Sequence, residues 1–220
     1  MKHRLIAAAC TGFLILAETA AAQTVDPLAN APAKASQFKE VLATPELLKQ
    51  VQSGGYVLYL RHSSTDTSRP DRFPNVDLKD CSTQRPLSDE GRKIASQVGI
   101  AIRKAKIPLG EIRISPLCRA KETTELTFPG QSFIEDQNLM YTANLTSEQK
   151  RPILTNTRQL LSASVTAGKN RLLVAHAPNL MDLIGYFPKE ATLVIFRPLG
   201  KDGFEYLASI PPGLWPALTH

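Results

Sequence analysis

Tyr56-Val57-Leu58-Tyr59-Leu60 is an apolar run rich in aromatic and branched residues, and it delivers a charged pair, Arg61-His62, at its end. Length and composition predict a buried strand, which places the imidazole where the strand passes into a loop. Arg171-Leu172-Leu173-Val174-Ala175 reads the same way and ends on His176. A third edge, Ile112-Arg113-Ile114, runs into Ser115-Pro116-Leu117-Cys118-Arg119-Ala120. Ligands of open parallel sheets bind at the carboxyl ends of the strands. The other two of the four histidines, His3 and His220, lie at the extremes of the chain.

Between these edges the pattern alternates. Phe38 to Val51 has the spacing of one or two short helices broken near Thr44-Pro45, and Ser53-Gly54-Gly55 turns into the first strand. Ser63 to Arg85 is polar and aperiodic, a long loop of the kind that often carries function. Ser88 caps a helix with Ile94, Val98, Ala101, Ile102 and Ala105 on one face. Glu111 to Ser115 is a strand, Pro116 starts a helix running to Leu126, Thr146 to Val165 is a helix, and Asn179 to Tyr186 is a short one. Ala191 to Arg197 and Phe204 to Ile210 complete the strands. This alternation predicts a three-layer α/β/α domain with a largely parallel sheet.

The N-terminus has the form of an export signal: Lys2 and Arg4, an apolar stretch from Leu5 to Ala17, then Ala20-Ala21-Ala22-Gln23. Residues 1–22 are expected to be the signal and 23–37 a flexible lead-in rich in Ala and Pro, leaving one domain over 38–220. The expected location is periplasmic or secreted, with no transmembrane segment in the mature form. Loss of two cations and one anion with the signal lowers the formal charge from +6 to +5. No basic stripe accompanies that charge, which argues against nucleic acid as a partner. Cys81 and Cys118 remain after export. One disulfide between them, worth roughly 4 kcal/mol by loop closure, and two buried thiols are both open readings.

The candidate chemistry follows from residue types. A neutral imidazole can attack phosphorus if the ester's charge is neutralised, and an arginine fork matches two phosphate oxygens. Taken singly, Arg61-His62 is an ordinary strand end, Arg119 a salt-bridge partner of Glu122, and His176 a hydrogen-bonded turn residue. Arg119 in the first turn of a helix opposes the helix dipole, which marks it as a functional candidate.

In combination these elements resemble the histidine phosphatase superfamily, the phosphoglycerate-mutase-like fold. Its Arg-His-Gly-x-Thr is matched by Arg61-His62-Ser63-Ser64-Thr65, and its Leu-Ser/Thr-x-x-Gly-x-x-x-Ala by Leu87 to Ala95. Its Ser-Pro-x-x-Arg-Ala is matched by Ser115 to Ala120 with Thr123 following, and its late His-Gly-x-x-Leu by His176 to Leu180 with Ala177 in the glycine's place. The resemblance covers Tyr56 to Ile210. It implies His62 as the phosphate-accepting nucleophile, Arg61, Arg119 and His176 as the groups that hold the phosphoryl, Thr65 as a substrate-binding residue, and no metal or cofactor. The implied activity is hydrolysis of a small phosphomonoester, such as a cell-envelope sugar phosphate, through a phosphohistidine. A mutase is disfavoured outside the cytoplasm.

Two departures stand out. Ser63 replaces the glycine beside the nucleophile, where it is expected to reshape the backbone. At the positions where the family supplies a proton donor, this chain has Tyr141 and Ala177. Asp66, Glu135 and Asp136 are the candidate donors, with Glu122 a further carboxylate nearby. The alternative is a phosphate-binding module of the same fold that has lost catalysis.

Overall fold

The computed structural model describes residues 37–219; the expected signal and all but the last residue of the lead-in lie outside the described residues, as do His3 and His220. Strands β1 (Val57–Arg61), β2 (Leu109–Ile114), β3 (Ile134–Glu135), β4 (Asn170–Ala175), β5 (Leu193–Pro198) and β6 (Phe204–Ile210) form one sheet in the order β3-β2-β4-β1-β5-β6. The pairings β3-β2, β2-β4 and β4-β1 are parallel, whereas β5 runs antiparallel to β1 and β6 antiparallel to β5. The sheet is therefore largely parallel with an antiparallel edge. A turn through Gly200 and Gly203, both at positive φ, is short enough to return the chain only in the opposite direction.

Both sheet faces are covered, which explains why the strands read as continuous apolar runs. Leu58, Leu60, Ile112, Ile114, Leu172 and Val174 face one core, packed beneath α1 (Pro45–Gln52), α2 (Asp89–Lys104), α3 (Cys118–Thr127) and α6 (Trp215–Leu218). Val57, Tyr59, Leu173, Ala175, Val194 and Phe196 face the other, under α4 (Ser147–Ser162) and α5 (Ala177–Ile184). This is the three-layer α/β/α architecture. Among the described residues no helix is long and apolar enough to cross a membrane.

Several boundaries differ from the sequence reading. Phe38–Ala43 is not helical: Leu42 bridges to Ser209, and the Ala43 amide donates to the Ser209 carbonyl (3.0 Å), a partner far along the chain. Helix α1 starts only after Thr44, whose hydroxyl accepts from the Leu47 amide. Helix α3 starts at Cys118 rather than Pro116, because Ser115 still donates to Val174 in the sheet ladder and Leu117 is extended. Helix α4 stops at Ser162 rather than reaching Val165, and α5 starts at Ala177, directly after His176, instead of at Asn179. The two-residue β3 carries no periodic signal. Helix α2 has the expected cap, Ser88, with acids in its first turn and bases in its last.

Candidate active site

Parallel pairing of β1 with β4 brings their ends to one edge. His62 and His176 consequently lie side by side, ring centroids 5.2 Å apart, and both are buried. The His62 amide donates to the Ala175 carbonyl (3.0 Å), fixing the backbone from which the ring projects. Its Nδ1 lies 2.8 Å from the Ser63 carbonyl. A carbonyl only accepts, so Nδ1 carries the hydrogen and Nε2 keeps its lone pair. Burial, and next the Arg119 charge, push both imidazoles well below the ordinary histidine value, so both are neutral at pH 7. His176 Nε2 meets Ser115 Oγ at 2.7 Å. Where the serine donates, His176 Nδ1 carries a free hydrogen.

Ser63 does not take an unusual backbone: among the described residues, Lys106 and Ala191 are the non-glycine residues at positive φ. Instead it is buried, its amide donating to Thr123 Oγ1 (3.0 Å) and its hydroxyl to the Gly91 carbonyl (2.7 Å). The expected reshaping is replaced by a cross-tie from the loop after His62 to α2 and α3.

Around the histidines stand the arginines. Arg61 donates from Nη1 to the Pro188 carbonyl (2.6 Å), pairs through Nη2 with Glu190 (3.6 Å), and lies over the Phe187 ring. Arg119 is fully buried. It donates from Nη1 to Asp71 Oδ1 (3.0 Å) and lies over the Tyr141 ring, which in turn packs edge-on against His176. Burial lowers both guanidinium groups from their ordinary value. Arg61 Nε, Arg85 Nε, Arg119 Nε, Arg119 Nη2 and His176 Nδ1 are all buried without a hydrogen-bond partner in the protein. Leaving so many donors unpaired is costly, and an anion would satisfy them.

Neither family models nor curated proteins match the chain. Similar solved structures include the protein histidine phosphatase SixA complexed with tungstate, at 13% identity and TM-score 0.48, covering 72% of this chain and 97% of that one. Another is a mycobacterial glucosyl-3-phosphoglycerate phosphatase with inorganic phosphate, at 17% identity and TM-score 0.48, covering 71% of this chain and 96% of that one. A third is a mutant phosphoserine phosphatase from Entamoeba histolytica with phosphoserine, at 11% identity and TM-score 0.48, covering 71% and 97%.

The candidate proton donors make no hydrogen bond or ion pair with the two histidines or with Arg61 and Arg119. Asp66 is half-buried, and hydrogen bonds from the Ser68 hydroxyl (2.6 Å) and amide (3.0 Å) hold its carboxyl below the usual range. Glu135 is exposed and paired with Lys121 (3.1 Å). Asp136 is buried against Arg113 (3.2 Å) and caps the turn at Asn138. Glu122 pairs with Arg92, not Arg119. None of the four hydrogen-bonds or ion-pairs with the side chains of His62, His176, Arg61 or Arg119. Thr65 joins the rim indirectly, donating to Glu190 (3.3 Å).

The structure adds residues that the sequence reading missed: Asp71, Arg85, Tyr141 as a packing partner, and Glu190. All four lie in loops without periodicity, and their partners are remote in sequence. The cysteines do pair. Cys81 and Cys118 form a disulfide with Cα atoms 5.7 Å apart, and the Cys118 amide donates to Gln84 Oε1 (2.8 Å). Together these ties fasten the long loop to the first turn of α3, one residue from Arg119.

Proposed function

We propose that this chain is a metal-independent phosphomonoester hydrolase that works through a phosphohistidine on His62. The observation carrying this reading is the His62 tautomer: Nδ1 is committed to the Ser63 carbonyl, so a neutral Nε2 is left as nucleophile beside unpaired arginine and histidine donors. The phosphoryl oxygens would take the free Nε of Arg61, the free Nε/Nη2 edge of Arg119 and the His176 ring, groups that become more valuable as charge builds in the transition state. Water then accepts the phosphoryl group from His62. The proposed location is outside the cytoplasm. On that basis sugar phosphates of the cell envelope head the substrate classes to screen, followed by small phosphoesters generally.

A panel of phosphomonoesters assayed with the wild-type protein and His62→Ala tests the reading. Turnover by wild type, with a phosphoryl group trapped on His62, and loss of several orders of magnitude in a folded His62→Ala protein are expected. Near-normal turnover by His62→Ala would refute the mechanism. Phosphate binding without turnover of any ester would favour the non-catalytic module.

A further inference from the structure

The hydrolysis proposed above needs a proton for the leaving oxygen, and one carboxylate touches the arginine pocket from the long loop. We propose that Asp71 is the general acid of this site, an assignment that rests on the phosphohydrolase reading. Asp71 Oδ1 accepts from Arg119 Nη1 (3.0 Å) and from the Arg85 amide (2.8 Å), whereas Oδ2 has no hydrogen-bond partner among the described residues. The opposite edge of the same guanidinium, Nε and Nη2, is buried and unpaired. That edge is a planar fork suited to two phosphoryl oxygens. One arginine therefore spans the two partners, with the phosphoryl group on the Nε/Nη2 edge and Asp71 on Nη1. Asp71 is thereby set beside the phosphoryl group without competing for the same donors.

Its loop is fixed rather than free. Arg72 donates to Thr83 (2.9 Å), and the Cys81–Cys118 bond closes the loop onto α3. The Asp71 side chain is 16% exposed, so it keeps contact with solvent protons. Solvent supplies the proton that Asp71 carries into the step. His62 Nε2 then forms the N–P bond as the P–O bond to the leaving group breaks. The Asp71 proton passes to that oxygen, which departs as an alcohol, leaving a carboxylate. In the second half the carboxylate takes a proton from water as the water oxygen bonds phosphorus and the N–P bond breaks. Neutral His62 and protonated Asp71 are restored. Glu190, the other carboxylate at the rim, is held by Thr65 and Arg61 and is the rival.

The test compares kcat/KM, which reports steps up to phosphoenzyme formation, for an alkyl phosphate and for p-nitrophenyl phosphate. Asp71→Asn keeps an acceptor for Arg119 and Arg85 while removing the acid, and Asp71→Ala removes both; circular dichroism checks their folding. Asp71→Asn is expected to lose about 10²–10⁴-fold on the alkyl ester and to stay within about tenfold on the aryl ester, whose leaving group needs no proton. It should still release a burst of p-nitrophenol and trap phosphate on His62. Equal losses on both esters would reduce Asp71 to a positioning partner of Arg119. Selective alkyl loss in Glu190→Gln with none in Asp71→Asn would transfer the role to Glu190. Failure of wild type to turn over either ester would instead remove the phosphohydrolase reading, and the acid with it.

Discussion

Arg119 shows how much one side chain can be asked to do here. It is fully buried, its charge is met on one nitrogen by Asp71, and its remaining edge is left for an anion. Arg119→Lys keeps the charge but loses the fork. A lysine held by Asp71 could offer the phosphoryl group a single point contact at best, so kcat/KM is expected to fall by about one to two orders of magnitude, with Tm little changed. Steady-state kinetics on an aryl phosphate checks this; an unaltered kcat/KM would mean that the unpaired edge does not meet the substrate. Arg61, His62 and His176 were legible in the sequence as candidates because each lies at or just past the end of an apolar run, and Arg119 because a cation in the first turn of a helix opposes the helix dipole. Asp71 was not. It lies 48 residues from Arg119 within an aperiodic loop, and nothing local distinguishes it from Asp66, which bonds its own neighbour Ser68.

At the scale of elements, the loop after His62 is positioned by the start of α2 as much as by the sheet. The Ser88 amide donates to the Ser64 carbonyl (3.0 Å), and the Ser63 hydroxyl reaches Gly91. A Cβ on Gly91 would fall 1.9 Å from the Ser64 carbonyl oxygen, so the glycine is there for close approach of two backbones. The sequence showed Ser88 and Gly91 as parts of a helix start; it could not show that this start docks beside His62. Gly91→Ala cannot be relieved by a side-chain rotation, and the forced shift falls two residues from His62, the proposed nucleophile. Overpacking of this kind costs about 1–3 kcal/mol, and kcat/KM should drop beyond what the stability loss explains. Gly99→Ala makes the matching clash at the Thr127 carbonyl (2.2 Å), at the far end of α3 from Arg119. It should lower Tm while leaving kcat/KM largely intact. The reverse ordering in thermal melts and kinetics would disprove the docking argument.

For the whole molecule, burying two histidines in a cationic pocket ties folding to pH. The sheet that does this was legible in outline, since runs such as Leu172-Leu173-Val174-Ala175 are apolar on both faces. Its antiparallel β5-β6 edge was not, because strand direction depends on pairing rather than composition. In the folded chain, burial and then Arg119 keep His62 and His176 well below the ordinary histidine value near 6.5, whereas the unfolded chain titrates near it. Below about pH 6.5 the unfolded state therefore binds more protons than the folded state. Stability from these two rings is fully present above that pH and is lost as the pH falls toward their folded values. Each ring contributes a slope of up to about 1.4 kcal/mol per pH unit. The carboxyls held low, such as Glu111 between Arg113 and Arg171, lose their contribution only near the unfolded carboxylate range, around pH 4, so the histidines dominate between pH 5 and 6.5. Urea denaturation at pH 7.5, 6.5 and 5.5 should show a steep decline in the wild type and, in His176→Gln, a slope shallower by about 1.4 kcal/mol per unit. Inorganic phosphate should flatten the wild-type decline, because an anion bound among the arginines stabilises only the folded state. A wild-type stability that stays level or rises from pH 7.5 to 5.5 would show that the two rings are not held neutral by the fold.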